Sequence, residues 1–115
     1  MQDLEIFLKE VGKRIYDRRK MLRMTQEQLA NAADLTPQFV SNAEAGKRAM
    51  RPENLMKIAS VLDVSTDYIL TGNIIEVDKM RLSEKMDKLT PNQVLLIENI
   101  IDDCIKLTTG TSKRQ

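Results

Sequence analysis

Two helix-start signals, Thr25 and Thr36, stand only eleven residues apart in "MTQEQLANAADLTPQFVSNAEAGKR", Met24 to Arg48. That interval leaves room for one helix of about two turns and a tight turn before the next helix begins. Thr25 is followed three residues later by Gln28, the pairing of a capping box. Thr36 is followed by Pro37, and proline is tolerated best at the first helical position, where its missing N–H would have had no partner. Gly46 supplies a stop for the second helix. Helices this short do not persist alone in water, so the rest of the chain has to hold them.

The flanking sequence is built to do so. Leu4, Phe7, Leu8, Val11, Ile15 and Leu22 recur at helical spacing, which predicts one long amphipathic helix over Asp3–Leu22. Leu29 and Ala30 give the second helix its buried face, and Phe39, Val40 and Ala43 do the same for the third, after a turn at Asp34-Leu35. Pro52 opens a fourth helix with Leu55, Met56, Ile58, Ala59 and Leu62 as its inner stripe. Ser65 caps a short fifth helix that packs Tyr68, Ile69 and Leu70 and ends at Gly72. Residues 1–72 are therefore expected to form a self-contained five-helix bundle, with a helix-turn-helix core at about 25–46. Residues 73–78 read as a connector whose "IIEV" run docks on the bundle or pairs as a strand. Residues 79–108 read as C-terminal helices: one over Lys79–Leu89 carried by Met80, Leu82, Met86 and Leu89, and one from Pro91, after the cap Thr90, to about Leu107. The polar residues 109–115 are expected to be a disordered tail.

Composition agrees with an all-α fold. Of 115 residues 42% are apolar but only 3% aromatic, with seven Met, four Gly and three Pro, so the core must be aliphatic and adaptable and breakers are few. Histidine is absent, which removes His-based acid–base chemistry and triads and most zinc sites. No enzyme activity, metal or cofactor is expected. The lone Cys104 cannot form an internal disulfide, and neither a signal peptide nor a long apolar run stands out, which predicts a soluble cytoplasmic protein with no membrane partner. Net charge is only +1, yet six basic residues (Lys13, Arg14, Arg18, Arg19, Lys20, Arg23) face one acid between Lys13 and Arg23, and Lys47, Arg48 and Arg51 follow the third helix. Solvated helix faces are the ordinary meaning of such runs.

Two short helices joined by a tight turn form a helix-turn-helix, in which the second helix is held out so that its N-terminal half can enter the DNA major groove. Gln38 and Asn42 lie four apart, on one face, and each amide carries the donor and acceptor that match adenine's N6/N7 edge. Ser41 bonds either kind of base edge, and the helix N-terminus favours phosphate. For an isolated pair of amides simple solvent exposure would be the default; the surrounding motif points to base contact.

Residues 12–72 resemble the Cro/lambda-repressor-like helix-turn-helix of the XRE family of transcriptional regulators. The pieces that carry the resemblance are "GKRI..RRK", "TQEQLA", "VSN.E.GKR" and "L.KIA..L.VS.DYIL", in order and with the family's spacing. The resemblance implies base contacts from Pro37, Gln38, Ser41 and Asn42 on a recognition helix 37–45. It implies phosphate contacts from Gln26, Thr36, Lys47 and Arg48, and a structural ion pair between Arg19 and Glu44. Pro37 stands where many members have a polar reader. Arg23, Asp34 and Asp63 stand where members commonly have glycine, which implies positive φ at all three. Ala43 replaces a larger apolar residue, and Met50 is the candidate to fill the space.

The C-terminal helix is apolar over well over half its circumference, through Val94, Ile97, Ile100, Ile101, Cys104 and Ile105 among others. Such a helix needs cover on more than one side; a homodimer, another protein partner and docking on the chain's own bundle all fit, and a second copy of the chain is the expected partner. The reading is a regulator, acting chiefly by repression, that binds a pseudo-palindromic site on double-stranded DNA as a homodimer. Its rival is a protein-interaction module, an adaptor or antitoxin-like partner, on the same bundle. Acidic or bulky residues at the reader positions would favour the rival; amides and a serine are found there instead.

Overall fold

The computed structural model describes residues 2–113, with side chains from 3 to 107. Among them are seven α-helices and no strand: α1 Gln2–Met21, α2 Gln26–Ala32, α3 Pro37–Glu44, α4 Pro52–Leu62, α5 Thr66–Thr71, α6 Glu76–Met86 and α7 Pro91–Lys113. The expected all-α class is what is found. The chain divides into two compact units, Met1–Asp78 and Lys79–Gln115. No described helix is long and apolar enough to cross a membrane.

Three helix starts in the first unit, those of α2, α3 and α5, follow their caps. Thr25 Oγ1 accepts the Gln28 N–H at 3.0 Å while Gln28 Oε1 accepts the Thr25 N–H at 2.8 Å, closing the capping box of α2. Thr36 Oγ1 accepts the Phe39 N–H at the head of α3, and Ser65 Oγ accepts the Tyr68 N–H at the head of α5. Helix ends share a second device. After α1, α2, α3 and α4 one residue turns left-handed: Arg23 at φ 58°, Asp34 at 56°, Gly46 at 71° and Asp63 at 58°. In each case the next N–H reaches back five residues, from Met24 to Arg19, Leu35 to Ala30, Lys47 to Asn42 and Val64 to Ala59. These are Schellman closures. Only one of the four has glycine, and the three non-glycine residues adopt the positive φ that the resemblance implies.

The core is aliphatic. Ile15 of α1, Leu29 of α2, Val40 of α3, Ile58 and Leu62 of α4 and Ile69 of α5 are its largest fully buried side chains. Leu55, Ile58, Ala59 and Leu62 form the buried stripe of α4, at steps of three and four. Met56, expected in that stripe, lies a helical step off it and is 63% exposed. Leu70, one position beyond the buried Ile69, is exposed, as are Leu4 and Phe7 in the first turns of α1. Met50 packs against the core beside the small Ala43.

Close contact of α1 with α3 depends on Gly12. A Cβ there would stand 2.5 Å from the Ala43 carbonyl oxygen and 2.8 Å from the Glu44 carbonyl carbon, so no side chain fits between the two backbones. Three α1 arginines complete the attachment. Arg14 Nη1 donates to the Ile69 carbonyl of α5 and Arg18 Nε to the Leu62 carbonyl of α4, both at 2.9 Å. Arg19 Nη1 donates to the Met24 carbonyl at 2.8 Å. The first two close carbonyls that a helix end leaves without an intrahelical partner, where a cation suits the dipole end, and the third ties α1 to the turn before α2.

The connector is shorter than residues 73–78. Asp78 is buried and accepts three bonds: Ser65 N–H and Ser65 Oγ–H at 2.8 Å each and Ile75 N–H at 3.0 Å. The last of these caps the start of α6, which therefore begins at Glu76, three residues before the apolar periodicity that marks it in the sequence. The "IIEV" run straddles this start and forms no strand.

In the second unit Thr90 and Gln93 exchange capping bonds at the head of α7. The helix continues to Lys113 instead of giving way at residue 109, because extending an established helix requires no new nucleus. Residues 114 and 115 of the expected tail lie outside the described residues. Val94 and Ile97 are half-buried, whereas Ile100, Ile101, Cys104 and Ile105 are exposed.

Candidate nucleic-acid interface

The exposed flank of α3 is positioned by what lies behind it. Val40 and Ala43 are buried on one side of this eight-residue helix. Pro37 and Gln38 are exposed on the other, with Ser41 and Asn42 half-buried at its edge. Gln38 Nε2 donates to Asn42 Oδ1 at 3.1 Å, so the two amides form one pair along the helix. Thr36, Lys47 and Arg48 are exposed at the two ends.

A cleft of about 380 Å³ opens beside α3, with Gln38, Phe39, Asn42, Arg48, Arg51 and Asn54 in its wall. The amides and the basic edge thus share one concavity. The sequence alone does not mark Arg51 and Asn54 as contacts. Arg51 belongs to a visible basic group, but its place beside Asn42 follows from the path of the loop after α3, which no local pattern encodes.

Behind the helix, Glu44 joins three elements. Its carboxylate accepts from Arg19 Nε at 2.6 Å and Arg19 Nη2 at 2.9 Å, and from Gln26 Nε2 at 3.0 Å. The two ionic side chains are 7% and 5% exposed. Hydrogen bonding to Glu44 holds the Arg19 guanidinium above its ordinary range, with burial acting in the opposite direction. Tyr16 lies with its ring centre 5.2 Å from the same guanidinium. Glu44 is the last residue of α3, so this network fixes the rear end of the helix whose front carries the amides. It also engages one amide hydrogen of Gln26, a residue assigned to phosphate by resemblance.

The basic run of α1 divides accordingly. Arg14, Arg18 and Arg19 point their donors into the bundle, whereas Lys13 pairs with Asp17 at 2.6 Å in an exposed contact that raises the lysine's pKa and has little structural weight.

A helix-turn-helix family model matches residues 15–69, from the buried Ile15 of α1 to Ile69 of α5. The chain is 36% identical over 90 residues to the HTH-type transcriptional regulator DicA of Escherichia coli (strain K12), covering 76% of this chain and 64% of DicA. The match therefore spans a little less than two thirds of that relative. The fold is similar to the P22 c2 repressor solved in complex with synthetic operator 9T, at a TM-score of 0.54 and 32% identity over 55% of this chain and 96% of that one. It is also similar to the restriction-modification controller protein C.AhdI from Aeromonas hydrophila, at a TM-score of 0.53 and 29% identity over 54% and 94% of the two chains.

Proposed function

The chain belongs to the XRE family of helix-turn-helix transcriptional regulators, and from that premise we propose that it binds double-stranded DNA by sequence and represses transcription as a homodimer. The observation that carries the reading is α3 itself: a short helix anchored at its rear by a buried ion pair, with amides and a serine on its outer flank. Gln38, Ser41 and Asn42 are the base contacts, and Pro37 adds van der Waals contact at the helix start. Thr36, Lys47 and Arg48 bind phosphates, and Gln26 does so with the amide hydrogen that Glu44 does not take. One module contacts few base pairs. Pairing two copies doubles the contacts and sets half-sites about one helical turn, or 34 Å, apart.

The proposed dimer contact is the face of α7 bearing Ile100, Ile101, Cys104 and Ile105, with the half-buried Val94 and Ile97 earlier along the same helix. Exposed apolar area of that kind marks an association surface. Occlusion of a promoter is the proposed mode of repression.

Selection from a random duplex library at physiological salt tests the reading. A two-fold motif that loses at least one half-site position in Gln38→Ala is the expected result, with sedimentation showing a dimer that Ile101→Asp dissociates. Absence of any enriched motif would refute sequence-specific binding and turn attention to a protein partner.

A further inference from the structure

Resting on the DNA-binding reading above, we propose that Gln38 and Asn42 act as one coupled reader, in which Asn42 holds Gln38 for adenine and itself serves as a donor to a neighbouring base acceptor. Residue type alone gives both side chains the same capacity, since each amide carries two N–H donors and one carbonyl. The bond from Gln38 Nε2 to Asn42 Oδ1 removes that equivalence.

Gln38 gives one hydrogen to Asn42 and keeps its second hydrogen and Oε1. When the hydrogen given up is the one trans to the oxygen, the remaining hydrogen and Oε1 lie on the same edge of the planar amide. That edge is what adenine needs: Oε1 accepts from N6 and the N–H donates to N7. Asn42 has its carbonyl engaged and both Nδ2 hydrogens left. Its complement in the major groove is an acceptor, the O6 or N7 of guanine or the O4 of thymine.

Burial gives the pair a direction. Asn42 is half-buried and Gln38 exposed, so Asn42 is the anchor and Gln38 the arm it restrains. Both lie in the wall of the same cleft, which places them beside one ligand. A restrained glutamine has less rotamer freedom to lose on binding, so the bond contributes pre-organisation as well as orientation.

The test compares full-length wild type with Gln38→Ala, Asn42→Ala and Asn42→Asp in library selection and competition binding, with thermal melts to keep folding defects separate. Asn42→Asp retains an oxygen at the bonding position and removes the donors. In wild type, one half-site position should prefer adenine by about 5- to 150-fold, and an adjacent position should prefer guanine or thymine. Gln38→Ala should level the first position. Asn42→Ala should level the second and also weaken the adenine preference by about two- to tenfold. Asn42→Asp should bind more weakly overall and lose the second position, yet keep the adenine preference.

Three results would overturn the coupling while leaving DNA reading intact. They are an adenine preference unchanged in Asn42→Ala, an adenine preference lost in Asn42→Asp as fully as in Asn42→Ala, and adenine at both wild-type positions. A wild-type protein that enriches no motif would overturn the coupling together with the DNA reading, and that result appears before any variant is compared.

Discussion

Replacing Glu44 by alanine removes the acceptor of three hydrogen bonds at once: two from Arg19 at 2.6 and 2.9 Å and one from Gln26 at 3.0 Å. Arg19 retains only the Met24 carbonyl at 2.8 Å, and its side chain is 7% exposed, so water cannot readily take the place of the carboxylate. Stranding one partner of a buried pair costs about 3–5 kcal/mol, against a total of about 5–15 kcal/mol for a typical domain. Urea unfolding followed by circular dichroism should therefore show the Glu44→Ala midpoint lowered by more than about 1 M. The matching double variant, Arg19→Met with Glu44→Leu, removes both charges and should regain most of the loss, because well-packed apolar residues often replace a buried pair without penalty. The pH dependence has a definite sign. The folded guanidinium titrates above its unfolded value, so its contribution is complete below the ordinary arginine range and is lost only as pH rises through the folded value. Between about pH 6 and 9 the difference between wild type and the double variant, which carries neither group, should accordingly be flat. A Glu44→Ala loss under about 1 kcal/mol, or a double variant as unstable as the two singles added, would refute this account of the network.

Gly12→Ala places a methyl against the Ala43 and Glu44 backbone and should cost about 1–3 kcal/mol in urea unfolding, with no loss of charge or hydrogen bond to account for it. Asp78→Ala leaves Ser65 N–H, Ser65 Oγ–H and Ile75 N–H without their acceptor; calorimetry should show a loss of about 2–4 kcal/mol. Arg23→Gly should be neutral or stabilising by up to about 1 kcal/mol, since the strain of a left-handed arginine outweighs glycine's entropy, whereas Arg23→Val should destabilise in the same chemical-denaturation assay. For DNA binding, Lys47→Ala and Arg48→Ala should each reduce the slope of log K against log salt by about 0.9, measured by fluorescence anisotropy across salt concentrations.

Much of this could be seen in the sequence because the determinants are local. The caps at Thr25, Thr36, Ser65 and Thr90 act within three residues of themselves, and each starts its helix as expected. The left-handed turns at Arg23, Asp34 and Asp63 have no glycine to announce them, and only the family resemblance implies them. What was hidden is long-range. The basic run of α1 looks like a solvated face, since the acceptors of Arg14 and Arg18 are backbone carbonyls 55 and 44 positions away. Asp78 reads as part of a connector because its partners Ser65 and Ile75 come from two different loops. At the candidate interface residue types single out α3, but the bond that distinguishes Gln38 from Asn42 depends on rotamers rather than on composition.

The arginines of α1 also set an order of events during synthesis. Arg14, Arg18 and Arg19 bond to residues 55, 44 and 5 positions later, with Glu44 a further partner 25 positions from Arg19. At about 5–20 residues per second, α1 leaves the ribosome roughly 3–10 s before Ile69 does. For that interval its apolar stripe lacks a complete core, and the guanidinium of Arg14 must remain hydrated. The bundle's opening helix is thus the last to be satisfied, and the bundle closes only when its fifth helix arrives.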